Sequence, residues 1–172
     1  MIKAKLKLTG VFEPGEQALF KRCFIAALKE TSAHWQNHIL PGHFLPNAFA
    51  KYKYEKRSEK YQKRKDRLGL GPMEWSGREQ DKILGDKRQA TARGFGKVKL
   101  RIPCAGFFNW QYNRKKGKRW PYTMADELTQ ITPEENRRLK QVFMETLIQL
   151  FNQAEGSRKM LKREAGGLPR TG

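Results

Sequence analysis

Hydrophobic and polar positions along this chain follow two rhythms. Residues Ile2 to Thr9 keep a period of two, with Ile2, Ala4, Leu6 and Leu8 on one face and Lys3, Lys5, Lys7 and Thr9 on the other. That alternation predicts a half-buried strand. Residues 97–102 repeat it, since Val98, Leu100 and Ile102 alternate with Lys97, Lys99 and Arg101, and predict a second strand. If the two are neighbours in one sheet, six cations line a single side.

Elsewhere the spacing changes to three and four. Phe20, Phe24, Ala27, Leu28, Thr31 and Trp35 make one apolar stripe, the signature of an amphipathic helix. It starts at Glu13-Pro14-Gly15-Glu16, where a first-turn proline and carboxylates suit the positive end of a helix dipole, and it should end near Leu40, before Pro41-Gly42. Leu139, Val142, Phe143, Thr146, Leu147, Leu150 and Phe151 make a second stripe behind Thr132-Pro133-Glu134-Glu135. That tetrapeptide is the best local signal in the chain, because it combines a capping threonine, a first-turn proline and a reciprocal glutamate. Shorter helices are predicted over Gly77–Leu84, capped by Ser76 with Glu79 reaching back, and over Thr123–Leu128. Residues 55–67 are a candidate solvated helix. The resulting expectation is an α+β fold, with a small, mostly antiparallel sheet packed by two long amphipathic helices. One domain spans 1–156, with protruding basic loops at about 41–72 and 103–122. After Gly156 the composition predicts a flexible basic tail, 157–172.

Composition sharpens this picture. With 38% hydrophobic and 11% aromatic residues among 172, the chain can bury one sizeable core. Thirty-six Lys and Arg against seventeen Asp and Glu leave a formal net charge of +19, which calls for an anionic partner: nucleic acid, lipid or an acidic protein surface. From Lys51 to Arg67 nine cations stand against three acids. The segment between Pro41 and Pro72 is long for a connection, and long connections in compact domains are mostly functional. Cys23 and Cys104 are too few for a disulfide framework or a cysteine zinc cage and read as buried thiols. The amino terminus lacks a run of signal-peptide length and no stretch approaches a membrane span, which places the chain in a reducing cytoplasm.

No catalytic constellation emerges. His34 and His38 have the four-residue spacing that can put two imidazoles on one metal, but the residue after His34 is Trp35 where a zinc protease needs a glutamate. No cysteine stands nearby in sequence to complete a ligand set. Gly69-Leu70-Gly71 lacks the lysine and helix of a phosphate loop. Asp126, Glu127, Glu134 and Glu135 are explained by helix starts, and Ser76 lacks the flanking glycines of a nucleophile elbow. The expectation is therefore no enzyme, no cofactor and no metal. Aromatic residues interleaved with cations keep a basic nucleic-acid-binding protein as the alternative, although no compact signature of a known nucleic-acid module is readable.

The order of motifs resembles a known group. An amphipathic helix ending in Trp35 is followed by His43-Phe44, then Tyr52, Tyr54, Arg57, Tyr61 and Lys65. Ser76-Gly77, a segment toward Ile83, and Asp126-Glu127-Leu128 ahead of Thr132-Pro133-Glu134-Glu135 complete the order. Over roughly residues 16 to 150 this is similar to small tailed-bacteriophage virion proteins of the neck and tail-completion type. The resemblance implies an α/β subunit that assembles as a hexameric or dodecameric ring in the virion, at the head-tail junction, joining the portal or adaptor to the tail tube or terminator. It brings no catalytic residues, and packaged DNA is a further candidate contact. The long cationic 51–67 run and the RKKGKR tip at 114–119 depart from the pattern. Residues Tyr52–Lys65 and Phe107–Tyr122 are the expected docking elements, ordering against acidic neighbours. Within them Tyr52, Tyr54, Arg57, Tyr61, Lys65, Trp110, Arg114, Lys115, Lys116, Arg119 and Trp120 are the candidate interface side chains.

Overall fold

The structure, a computed structural model, describes residues 14–54, 57–74, 78–85, 89–93, 97–102, 113–115, 118–119 and 123–166. Helix α1 runs Pro14–His34 and passes into a π-helical turn, Trp35–Ile39, and a 3-10 turn, Leu40–Phe44. Three short helices follow: α2 (Ala48–Tyr52), α3 (Glu59–Leu68) and α4 (Glu79–Gly85). Strands β1 (Thr91–Ala92) and β2 (Val98–Lys99) form one antiparallel ribbon, and β3 (Asn113–Lys115) and β4 (Lys118–Arg119) form another. Helix α5 (Met124–Leu128) and the long α6 (Pro133–Gly166) close the order.

The fold is therefore mostly helical, with 73% of the described residues in helix, and the expected α+β architecture is corrected. The alternation at residues 97–102 is real: Val98 packs against one apolar cluster while Leu100 and Ile102 pack against the other. Yet β2 pairs only with the two residues of β1, so no sheet layer exists among the described residues for helices to cover. The helices cover each other instead. The expected first strand, Ile2–Thr9, lies outside the described residues.

Helices α1 and α6 pack antiparallel, as ring contacts running in opposite directions along the two helices require. Phe24 meets Phe143 edge-on at 5.1 Å between centroids, and Phe20 meets Phe151 at 6.1 Å. Cys23, Ala27, Leu28 and Leu147 are buried with them. Thr31 and Ser32 sit on this inner side without loss, because their hydroxyls donate to the carbonyls of Ala27 and Leu28 four residues back. The helix changes character at its end for a stated reason. Pro41 has no N–H and its ring crowds the carbonyl four residues earlier, and the Leu40 N–H reaches back five residues to Trp35 O.

A second cluster gathers Trp35, Ile39, Leu40, Phe44, Met73, Ile83, Met124, Leu128 and Leu139. It draws in the segment that composition marked as loop. Helix α3 forms there, capped by Ser58 and closed by Gly69 at φ 62°, the left-handed position that glycine favours. Helix α5 has the reciprocal capping of Thr123 and Asp126. Helix α6 starts as its tetrapeptide predicts, with Glu135 N–H donating to Thr132 Oγ1 and the Thr132 N–H donating to Glu135 Oε2. It then runs through Gly156 to Gly166, where a flexible tail was expected. A single internal glycine costs about 1 kcal/mol relative to alanine, and the following Arg158, Lys159, Met160 and Leu161 are good helix formers. Residues 167–172 lie outside the described part. No helix among the described residues is long and apolar enough to cross a membrane.

Candidate functional site: a polar layer inside the basic segment

The residues singled out between His43 and Lys65 converge on the interior. Tyr52 is 4% exposed and Tyr54 6%, although two residues apart on a helix would face different ways. The backbone resolves this at Lys53, which takes the left-handed conformation at φ 53° and ends α2. The reversal lets the Tyr54 N–H reach Phe49 O at 3.2 Å and turns both rings inward. Gly42 completes the space, since a Cβ there would lie 2.8 Å from the Tyr52 hydroxyl.

His43 is the centre of this group. Its ring is fully buried and stacks on Tyr52 at 3.9 Å between centroids and 8° between planes, and its Nδ1 is hydrogen-bonded to the Tyr54 hydroxyl. Burial pushes the His43 pKa down to about 4, a negative Glu135 and the Gln130 backbone opposing that shift. Burial also pushes the Tyr54 pKa up. Both groups are therefore neutral, and the hydrogen bond joins an imidazole to a phenol that keeps its proton. Tyr52 donates to Glu135 Oε1 at 2.9 Å, and Lys51, at the surface, binds the same oxygen at 2.6 Å. Glu135 thus caps α6 with one oxygen and anchors α2 with the other. These bonds hold its carboxyl below the usual range despite the opposing effect of burial.

An ion pair stands beside this group. Arg57 meets both oxygens of Glu127 in a two-point contact, with side chains 5% and 3% exposed. A planar guanidinium suits this arrangement, and it ties the chain after α2 to α5. Lys65 is 1% exposed and donates to Pro72 O at 2.6 Å, with its ammonium 5.4 Å from the Tyr61 ring centroid. Burial lowers its pKa to about 8, the Arg57 charge adding to the effect while Glu74, Glu79 and Asp66 oppose it. Glu74 is itself buried and accepts from the Gly71 N–H at 2.6 Å.

Tyr52, Tyr54, Arg57 and Lys65 are therefore interior groups, and their expected place on a docking surface is corrected: each is committed to a partner inside the fold. Tyr61 is half-buried beside Lys65. Arg114, Lys115 and Arg119 lie on the paired strands β3 and β4, where Lys115 pairs with Lys118 and Asn113 with Arg119; Gly117, where a charged tip was expected, lies outside the described residues. Trp110, Lys116 and Trp120 lie outside the described residues, as does the expected cap Ser76. His34 and His38 bring their rings within 4.4 Å, but among the described residues no group of three His, Cys, Asp or Glu is placed to hold a metal. A cleft of about 310 Å³ opens between Trp35, Leu100, Ile102 and Ile131, and its lining is mainly apolar. Most donors and acceptors of the layer are bonded to one another, while His43 Nε2 is buried without a hydrogen bond to any of them.

Two groups missed by sequence reasoning are Glu127 and Glu135. Both were assigned to helix starts. The available signal was redundancy, because Asp126 already caps α5 and leaves Glu127 spare.

Two measurements check this layer. Arg57→Ala should lower stability by about 3–5 kcal/mol, since it leaves a buried carboxylate unpaired, and adding Glu127→Ala should cost less than the sum of the single changes in urea melts. Stability should also follow pH in three windows. It falls from pH 6.5 toward 4, because the unfolded chain protonates where His43 in the fold does not. It rises from about pH 8 toward 10, because unfolded lysine holds its proton up to 10.5 while buried Lys65 has released it. Above pH 10 it falls again, because the folded state keeps the protons of Tyr52, Tyr54 and Tyr61. Lys65→Met should remove the alkaline rise and leave the acid limb.

No protein-family model, curated protein or solved structure matches this chain.

Proposed function

We propose that the chain is a structural subunit of a tailed-bacteriophage virion, forming an oligomeric ring at the head-tail junction that joins the portal or adaptor to the tail. The observation that carries this reading is where the resembling residues fall. Trp35, His43, Phe44, Tyr52, Tyr54, Arg57, Lys65, Ile83, Glu127, Leu128 and Glu135 come from separate parts of the sequence and meet in one cluster and its adjoining polar layer. A motif order spent on the interior specifies an architecture, as a shared structural subunit requires. A motif order spent on chemistry would instead leave its polar groups facing a ligand.

The exterior suits assembly. Among the described residues, cations such as Lys21, Lys29, Lys60, Lys63, Arg67 and Arg137 are exposed, on a chain of net charge +19. Mutual repulsion keeps such subunits apart until complementary surfaces arrive. With Tyr52, Tyr54, Arg57 and Lys65 committed to the core, docking passes to the β3–β4 hairpin and to exposed apolar positions of α6, Met144 at 42% and Ile148 at 55% exposure. Those two are one turn apart and share a face.

Light scattering and negative-stain images of the purified chain, alone and mixed with portal, adaptor and tail-tube proteins, test the reading. Rings of six or twelve subunits are expected, and Arg114→Glu with Arg119→Glu should block docking of the ring to its neighbour without unfolding the subunit. A chain that stays monomeric beside every such neighbour contradicts the reading.

A further inference from the structure

A separate basic face stands on the β1–β2 ribbon. Val98, Leu100 and Ile102 are partly buried against the two apolar clusters. Strand alternation then turns Lys97, Lys99 and Arg101 outward, and all three are exposed. Strand β1 adds to this face. Thr91 pairs with Lys99 and Ala92 with Val98, and the Arg93 N–H donates to Lys97 O at 2.9 Å. The register therefore continues one step and sets Arg93, also exposed, across from Lys97.

Four cations thus share one face, and Lys97 to Arg101 extends about 13 Å along the strand at roughly 3.3 Å per residue. Neither Lys51–Glu135 nor Arg57–Glu127 involves any of them. Like charges facing each other across a strand pair are destabilising, so the Arg93–Lys97 pairing works against the ribbon's own stability. One outward lysine on an edge strand is enough to discourage pairing with another sheet. Four aligned cations go beyond that need.

The partner is narrowed by what the face offers. Protein interfaces are centred on aromatic and apolar anchors with charge depleted at the core, whereas the described side chains here are Thr91, Arg93, Lys97, Lys99 and Arg101. Single-stranded nucleic acid is held by stacking bases on aromatic rings as well as by phosphate contacts, whereas the described feature here is the cation row alone, Phe95 lying outside the described residues. Duplex DNA needs neither feature. Its two strands carry one negative charge per about 1.7 Å of axis, so a cation row about 13 Å long meets phosphates in excess. We propose that the outer face of the β1–β2 ribbon binds the phosphate backbone of duplex DNA without regard to sequence.

The proposal stands apart from ring formation and is tested without it. Fluorescence anisotropy of a labelled mixed-sequence duplex, titrated with the full chain at several salt concentrations, gives the slope of log affinity against log salt. Replacing Lys97, Lys99 and Arg101 by glutamine should reduce that slope by about 2.7, three contacts at about 0.9 each. The matched triple Lys60→Gln, Lys63→Gln and Arg67→Gln removes equal charge from the exposed side of α3 and should leave the slope near the starting value. Lys99→Gln alone should reduce it by about 0.9, which keeps the test available if the triple variant does not fold. Equal losses from both triples would mean diffuse attraction and would overturn the proposal. An unchanged slope in the ribbon triple would leave edge protection only and overturn it, as would tighter binding of single strands than of duplex. Loss of docking to an acidic virion protein with DNA affinity intact would assign the face to a protein and overturn it too.

Discussion

Buried charge must be paired, and that constraint organises the centre of this protein. An isolated ion in a low-dielectric interior costs several kcal/mol even after relaxation, so Arg57 and Glu127 can both be buried only together. Their pairing joins the segment after α2 to α5 across seventy residues of sequence. The same logic applies to Glu135, which couples α2 to the start of α6 through Tyr52 and Lys51, and to Lys65, which finds the Pro72 carbonyl. A stretch whose composition is that of a solvated loop is thereby drawn into the core.

This division of labour between cations bears on function. Arg57 and Lys65 are used for folding, while Lys60, Lys63 and Arg67 on the same helix, and Lys97, Lys99 and Arg101 on the ribbon, are left outside. Positions that hold the fold cannot also be the ones that choose a partner. Recognition has to lie on surfaces that the polar layer supports without entering: the ribbon, the hairpin and the outer side of α6.

Much of the framework was legible in the sequence because it depends on local rules. The caps of α5 and α6 need only residues three apart, and the stripes of α1 and α6 need only helical period. The inward Val98, Leu100 and Ile102 follow from alternation. What could not be read depends on long-range partners or on unusual backbone. A left-handed Lys53 puts Tyr52 and Tyr54 on the same side, which no periodic rule anticipates. Lys65 looks like its solvated neighbours until the carbonyl of Pro72 is placed beside it. The sheet was overestimated because half-buried alternation suggests a layer of strands, and among the described residues 97–102 lie against helices through one short ribbon.

The central claim is that the basic segment is a folded part of the interior in the isolated chain. Acylation of lysines in the native protein, followed residue by residue by mass spectrometry, tests it most directly. Lys60 and Lys63 should be modified quickly, and Lys65 only once urea unfolds the chain. Modification of Lys65 in native buffer at the rate of Lys60 and Lys63 would contradict the account.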